Sequence, residues 1–387
     1  MVQITEGITP AEFIAAVNNN NTEIEYSAAT STFDAISESS NVSVINDNFQ
    51  AIKALTPNAP TTRTFAAGMS GLNFISYLNQ NYTGYYRKNA GAYLNLGFGA
   101  HIGFSMVTFS GDGLVPVANI NDFNPSAIDI ESWLDTFVLA GMKYATFIVK
   151  SHDGFCLYPT TYFETGHDPY SIAETTWYAN NGSPDLFKIF TDGCRERGLS
   201  PCFYYSILDG AHESWHGDDV ADAPAYIAMI ESQLTELLTN YGDITAIWFD
   251  GWEWGSCPKY VNIPFATISD HVKSIQPNCL VLNNDQLHPC QYSEVEIYEA
   301  SDTGLSGHVP AGNHVTCEDA EPMRYDCSWI YVSTSDQTAN ALMTKEQINA
   351  AVAQANSRNA NYNLGVYPDT TGNLTAAQTA VLESLQV

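Results

Sequence analysis

Five residues stand where β-rich runs of the chain end or turn: His101, His152, Tyr204, Asp250 and Glu299. Two carboxylates, two imidazoles and a phenol are groups that attack an electrophile, move protons and hold hydroxyls. Asp250 is the most informative of them. It follows Ile247-Trp248-Phe249, which must be buried, and precedes Gly251. A carboxylate at that point costs several kcal/mol unless it is hydrogen-bonded, paired or used in chemistry. The alternative is an Asp that caps the next turn. Glu299 closes Val295-Glu296-Ile297-Tyr298, and Glu294 and Glu296 are rival carboxylates beside it. His152 has a second reading as a residue that holds a loop. His101, between Ala100 and Ile102, has one as a satisfied core histidine.

The elements that must position these groups alternate. β-rich apolar runs fall at Tyr93–Phe104, Lys143–Val149, Leu199–Ser206, Ile244–Asp250, Cys279–Asn283, Glu294–Glu299, Ser328–Val332 and Asn361–Tyr367. Helical patterns fall at Ala127–Ala140, Pro184–Arg197, Pro224–Asn240, Tyr260–Ile275, Lys345–Ser357 and Thr375–Leu385. Eight strand signals separated mostly by helices predict an α/β chain with a (β/α)8-like barrel over 92–387. In such a barrel the strand C-termini carry the chemistry. They read His101, Lys150-Ser151-His152-Asp153, Tyr204-Tyr205-Ser206, Asp250, Asn283-Asn284-Asp285 and Glu299. A doubly wound sheet is the rival, but no phosphate-binding glycine loop follows any strand.

Residues 1–91 differ in kind. They hold no Cys and no Trp, and 7 acidic against 4 basic residues, whereas 92–387 holds 36 against 10. Gly7-Ile8-Thr9 before Phe13-Ile14 and Gly68-Met69-Ser70 before Phe74-Ile75 repeat one pattern, with a partial third copy at Ile45–Phe49. Each copy reads as a short helix opened by Thr9 or Ser70, too short to be stable alone. This predicts a small N-terminal helical module. The pattern resembles repeats in bacteriophage structural proteins.

The whole chain has 387 residues and a net charge of −29. Few cations argue against a nucleic-acid partner, since that affinity comes from Lys and Arg neutralising phosphates. No apolar run approaches the roughly 20 residues that span a bilayer. The 22 Tyr, 18 Phe and 7 Trp suit either sugar-stacking surfaces or a large aromatic core. None of the eight cysteines forms a CxxC pair or a zinc-like spacing; Cys317 and Cys327 are near enough to pair, with free thiols as the alternative.

Longer stretches then show a resemblance. Leu96-Gly97-Phe98-Gly99-Ala100-His101-Ile102-Gly103 is similar to FGMFIHWG, and Ala140-Gly141-Met142-Lys143-Tyr144 with Lys150–Leu157 to AGMKY…KHHDGFCLW. Phe123-Asn124-Pro125 lies between these two, and Tyr204-Tyr205-Ser206, Leu237–Asp243 through Trp248-Phe249-Asp250-Gly251, and Asn361–Gly365 follow them in the same order. Residues 92–387 thus resemble glycoside hydrolase family 29, the α-L-fucosidases. The resemblance implies a retaining double displacement on fucosylated glycans, with Asp250 as nucleophile and Glu299 as acid/base. It implies His101, His152 and Tyr204 on the sugar hydroxyls and Trp252 and Trp254 as a sugar platform, with no metal and no cofactor. Three positions depart from the family pattern. Ser151 replaces the first His of KHHDGF, Ser110-Gly111-Asp112-Gly113 stands where Glu-Trp is expected, and no Arg is evident near Asn284. They make a catalytically degenerate sugar-binding protein the competing class.

The opening MVQITEGITP lacks a basic segment followed by an apolar one, so no signal peptide is expected. Extracellular substrates without a signal, and short helices that cannot bury their faces alone, lead to an expectation of location. Residues 1–91 would mediate oligomerisation or attachment to virion proteins, with the barrel outward on a virion surface. The alternative is a bacterial extracellular enzyme with 1–91 packed on its own barrel.

Overall fold

A computed structural model of the chain describes residues 25–27, 32–34, 93–163, 168–211, 223–251, 265–284, 293–299, 307–313, 316–324, 329–331 and 342–385. Near the N-terminus, strands β1 (Glu25–Ser27) and β2 (Thr32–Asp34) pair antiparallel. The short helices expected around Thr9 and Ser70 lie outside the described residues.

Eight parallel strands close into a barrel. They are β3 (Phe98–Ile102), β4 (Tyr144–Lys150), β5 (Ser200–Ser206), β6 (Ala246–Asp250), β7 (Leu280–Asn284), β8 (Val295–Glu299), β9 (Cys317–Pro322) and β10 (Ala360–Val366), with β10 pairing back onto β3. The helices are α1 (Ile130–Leu139), α2 (Thr176–Asn180), α3 (Leu186–Arg197), α4 (Ala223–Asn240), α5 (Phe265–Ile275), α6 (Lys345–Ser357) and α7 (Ala376–Ser384). Capping sets their starts. Asp129, Asp185, Thr344 and Thr375 each accept a backbone N–H two or three residues into the helix. Gly198, at φ +71°, lets the chain leave α3 and turn directly into β5.

Strand alternation divides the side chains between two cores. Ile247, Phe249, Val281, Phe203 and Tyr205 face the helices. Tyr144, Ile148, Cys202, Tyr204, Trp248, Leu282 and Ile297 fill the barrel interior. Asp250 and Glu299 follow Trp248 and Ile297 by two residues, so they share the inward face at the C-terminal rim.

One expected strand is corrected. Trp329, Ile330 and Tyr331, within the run Ser328–Val332, are not in a strand; the seventh strand is β9, Cys-Glu-Asp-Ala-Glu-Pro. Its acidic sequence survives inside a barrel because long-range partners meet it. Glu318 accepts hydrogen bonds from the Tyr93 and Tyr144 hydroxyls and, at 2.8 Å, from Asn363 Nδ2. Burial raises the Glu318 pKa and these three donors oppose the rise. Tyr93, from the segment that enters the barrel, thereby tethers that segment to the floor. Tyr93→Phe removes one donor from a carboxyl that is 1% exposed. It should cost about 1–3 kcal/mol, read as a lower urea midpoint at unchanged slope.

Five described cysteines, Cys156, Cys194, Cys202, Cys279 and Cys317, are free and buried. Cys317 accepts from Asn313 Nδ2 at 3.4 Å; Cys327 lies outside the described residues.

Candidate active site

The inward faces of β3 to β8 converge at their C-terminal ends. Asp250 on β6 pairs in register with Ser206 on β5 and Asn284 on β7. Its Oδ2 accepts the Tyr204 hydroxyl at 2.9 Å. Its Oδ1 accepts the Gly251 N–H at 2.6 Å and Asn284 Nδ2 at 3.3 Å. A turn-capping role and a site role therefore coexist in one residue. Tyr204 stays a donor, because burial and then the Asp250 charge push its phenol pKa up.

Glu299 is separated cleanly from its rivals. Glu294 is committed to Lys273, with N–O at 2.5 Å, and to the Val281 N–H at 2.7 Å. Glu296 sits on the other face of the alternating β8. Glu299 points inward, its Oε2 accepting Asn284 Nδ2 at 2.9 Å and its Oε1 accepting Trp329 Nε1 at 2.8 Å. One amide nitrogen thus bonds both carboxylates.

His152 is aimed by the end of β4, where the register with β5 shifts between Ile148 and Lys150. Ser206 Oγ lies 2.8 Å from the Leu208 carbonyl and 2.6 Å from His152 Nδ1. Nε2 lies 3.2 Å from the Tyr204 hydroxyl and 3.7 Å from Asp250 Oδ2. Beneath it, Lys150 pairs with Asp209 at 3.0 Å and donates to the Ser206 carbonyl, also at 3.0 Å. The Gly210 N–H returns to the His152 carbonyl at 2.8 Å. Gly154, at φ +90°, lies so close to Asp209 that a Cβ would meet its Oδ1 at 2.1 Å.

His101 is buried on aromatic edges, with ring centroids 4.4 Å from Trp248, 5.2 Å from Trp329 and 5.5 Å from Tyr204. Its packing is that of a core histidine, yet its Nδ1 has no hydrogen-bond partner among the described residues, nor has Trp248 Nε1. Both rings pack against Tyr204, which bonds Asp250. Trp252 and Trp254 lie outside the described residues.

Burial lowers the His101 pKa to about 3. Burial and then the Lys150 charge lower that of His152 to about 4, with Glu299 opposing. Both rings are neutral at pH 7, so His152 and Asp250 are not an ion pair. Histidine in the unfolded chain titrates near 6.5. Between that value and the folded ones the unfolded chain binds more protons, so stability is lost as pH falls from about 6.5 toward 4. The urea midpoint should drop across this window, and imidazole ¹⁵N shifts should report two neutral rings at pH 6. His101→Phe should flatten part of the drop.

Trp329 was not legible as a site residue, and Asn284 stood among the strand ends without a role. Trp329 reaches Glu299 because Gly103 and Gly365 clear its place: a Cβ on Gly103 would meet the Trp329 carbonyl oxygen at 1.6 Å, and one on Gly365 its ring at 2.8 Å.

The sequence profile of the family described as alpha-L-fucosidase matches residues 75–386. The chain belongs to the alpha-L-fucosidase family. The match begins inside the second copy of the N-terminal repeat. Alpha-L-fucosidase 1 of Arabidopsis thaliana is 30% identical over 167 residues, covering 43% of this chain and 30% of that relative. The matched part spans less than a third of the plant relatives' own length. Among solved structures, alpha-L-fucosidase isoenzyme 1 from Paenibacillus thiaminolyticus superposes with a TM-score of 0.63 at 25% identity, covering 77% of this chain and 75% of that one. A putative alpha-L-fucosidase from Bacteroides thetaiotaomicron VPI-5482 gives 0.64 at 22%, over 78% and 75%, a likeness of fold.

Within this family frame the three departures have definite surroundings. Ser151 donates to Asp153 Oδ1 at 2.5 Å and faces that carboxyl; burial raises the Asp153 pKa to about 6. Asp112 turns the loop after β3 by accepting the Leu114 and Val115 N–H groups. At the end of β7 a neutral amide, Asn284, meets the two carboxylates.

Proposed function

We propose that the chain is a retaining glycoside hydrolase that releases terminal α-L-fucose, or a closely related sugar, from fucosylated oligosaccharides. The observation that carries this reading is the carboxylate pair bridged by Asn284. Its two hydrogen bonds limit the facing oxygens of Asp250 and Glu299 to a separation of about 6 Å at most. Retaining pairs stand about 5–5.5 Å apart and inverting pairs about 6.5–9.5 Å.

Asp250 attacks the anomeric carbon as the glycosidic C–O bond breaks, and the Glu299 proton passes to the leaving oxygen. Glu299 then takes a proton from water, whose oxygen attacks the same carbon and releases Asp250. Tyr204 donates to Asp250 and orients it. His152, His101 and Tyr204 hold sugar hydroxyls, and Trp252 and Trp254 stack on the ring. The reaction needs no metal and no cofactor.

Assay of an aryl α-L-fucoside and of fucosylated oligosaccharides tests this. Turnover is the expected result. Tight fucose binding without turnover would make the chain a sugar-binding protein.

For residues 1–91 we propose oligomerisation or attachment to virion proteins, with the barrel outward on an extracellular or virion surface. Two copies of one short amphipathic pattern support it. A strictly monomeric full-length chain, with a truncated barrel that unfolds, would overturn it.

A further inference from the structure

Asn284 is 1% exposed, and its Nδ2 spends its two hydrogens on two different carboxylates, Asp250 Oδ1 and Glu299 Oε2. Its own Oδ1 is buried without a hydrogen-bond partner among the described residues. An orphaned carbonyl of this kind costs about 1–3 kcal/mol. Rotating the amide to relieve it would aim an oxygen at both carboxylates, so the pair fixes the orientation. Each carboxylate also has donors of its own, Tyr204 and Gly251 on Asp250 and Trp329 on Glu299. The amide's distinctive contribution is therefore the link between them.

We propose that Asn284 is a positioning residue for the displacement: one neutral amide fixes the spacing of the two carboxylates and stays bonded to each as negative charge passes between them. The proposal rests on the reading of Asp250 and Glu299 given above. In the first half of that cycle Asp250 loses its charge on bonding carbon, while Glu299 gains one on giving up its proton. The second half reverses this. A donor to one carboxylate alone would ease one half and oppose the other. A donor shared by both follows the charge.

The test combines kinetics with carboxyl-¹³C titration of Asp250 and Glu299 in the wild type, Asn284→Ala and Asn284→Ser. Among the described residues, the other groups around the pair are Tyr204 from β5, His152 after β4 and Trp329, with His101 from β3 packed against Tyr204. Lys150, engaged with Asp209, is a cation near His152. In Asn284→Ala, kcat should fall about 100-fold with KM little changed. Both carboxyls should titrate at higher pH, since each ionised form loses a donor. Asn284→Ser, whose hydroxyl has one hydrogen, should shift only one of them and lose less activity. Unchanged titrations in both variants would overturn the proposal. A wild type whose carboxyls titrate but which cleaves no fucoside would instead remove the hydrolase reading, and the titrations would still judge the amide link. Should the Ala variant fail to fold, the Ser variant decides.

Discussion

Asp250→Ala should lower kcat on an aryl α-L-fucoside by on the order of 10⁴–10⁶-fold. Asp250 is the acceptor on which Tyr204, Gly251 and Asn284 converge at the floor of the site. Its removal deletes the proposed nucleophile and strands three donors, so the unfolding midpoint must be measured alongside to separate chemistry from folding. Added azide gives a sharper reading. A small anion in the vacated space attacks the anomeric carbon from the nucleophile's face, forms a C–N bond and expels the phenolate. The product should be the β-fucosyl azide. Activity within tenfold of wild type, in a folded variant, would remove Asp250 from the reaction.

Replacing Glu299 should produce a loss that depends on the leaving group. Glu299→Gln is a poor choice, because the new NH₂ must face either Asn284 Nδ2 or Trp329 Nε1, both donors. Glu299→Ala avoids that clash. For oligosaccharides, whose leaving oxygen needs a proton, kcat/KM should fall about 10²–10⁴-fold. For an aryl fucoside with an acidic phenol, the first half-reaction should be nearly spared. The basic limb of the kcat/KM profile should disappear, since the group whose deprotonation ends activity is gone. A basic limb that persists in Glu299→Ala would mean that another residue is the acid.

The barrel was legible in the sequence wherever strands were apolar and helices amphipathic. Helix α6 falls where its pattern places it, from Lys345 to Ser357. Strand β9 was missed because strand signals are read from local apolarity, and this strand holds Glu318, Asp319 and Glu321. What makes Glu318 tolerable comes from Tyr93, 225 residues away, and no local window contains both. The converse error lies at Ser328–Val332, whose apolar residues mimic a strand. Trp329 is held there by its bond to Glu299 and by the space left at two distant glycines.

At the site, Asp250, Glu299, His152 and Tyr204 were read from position alone, and these four do meet. His101 meets them while packed as a core residue, because at a barrel rim the interior core and the floor of the site are one surface. Asn284 was read at a strand end but was given no role. An Asn at a strand end reads as a turn residue, and its importance comes from two carboxylates that the sequence separates from it by 34 and 15 residues.

The most direct test is the configuration of the first sugar released. ¹H NMR of an aryl α-L-fucoside reaction, followed faster than fucose mutarotates, distinguishes the anomers. The close carboxylate pair predicts that α-L-fucose appears first and β-L-fucose later, by mutarotation. β-L-Fucose appearing first would mean a single displacement by water, and would contradict the assignment of Asp250 as nucleophile.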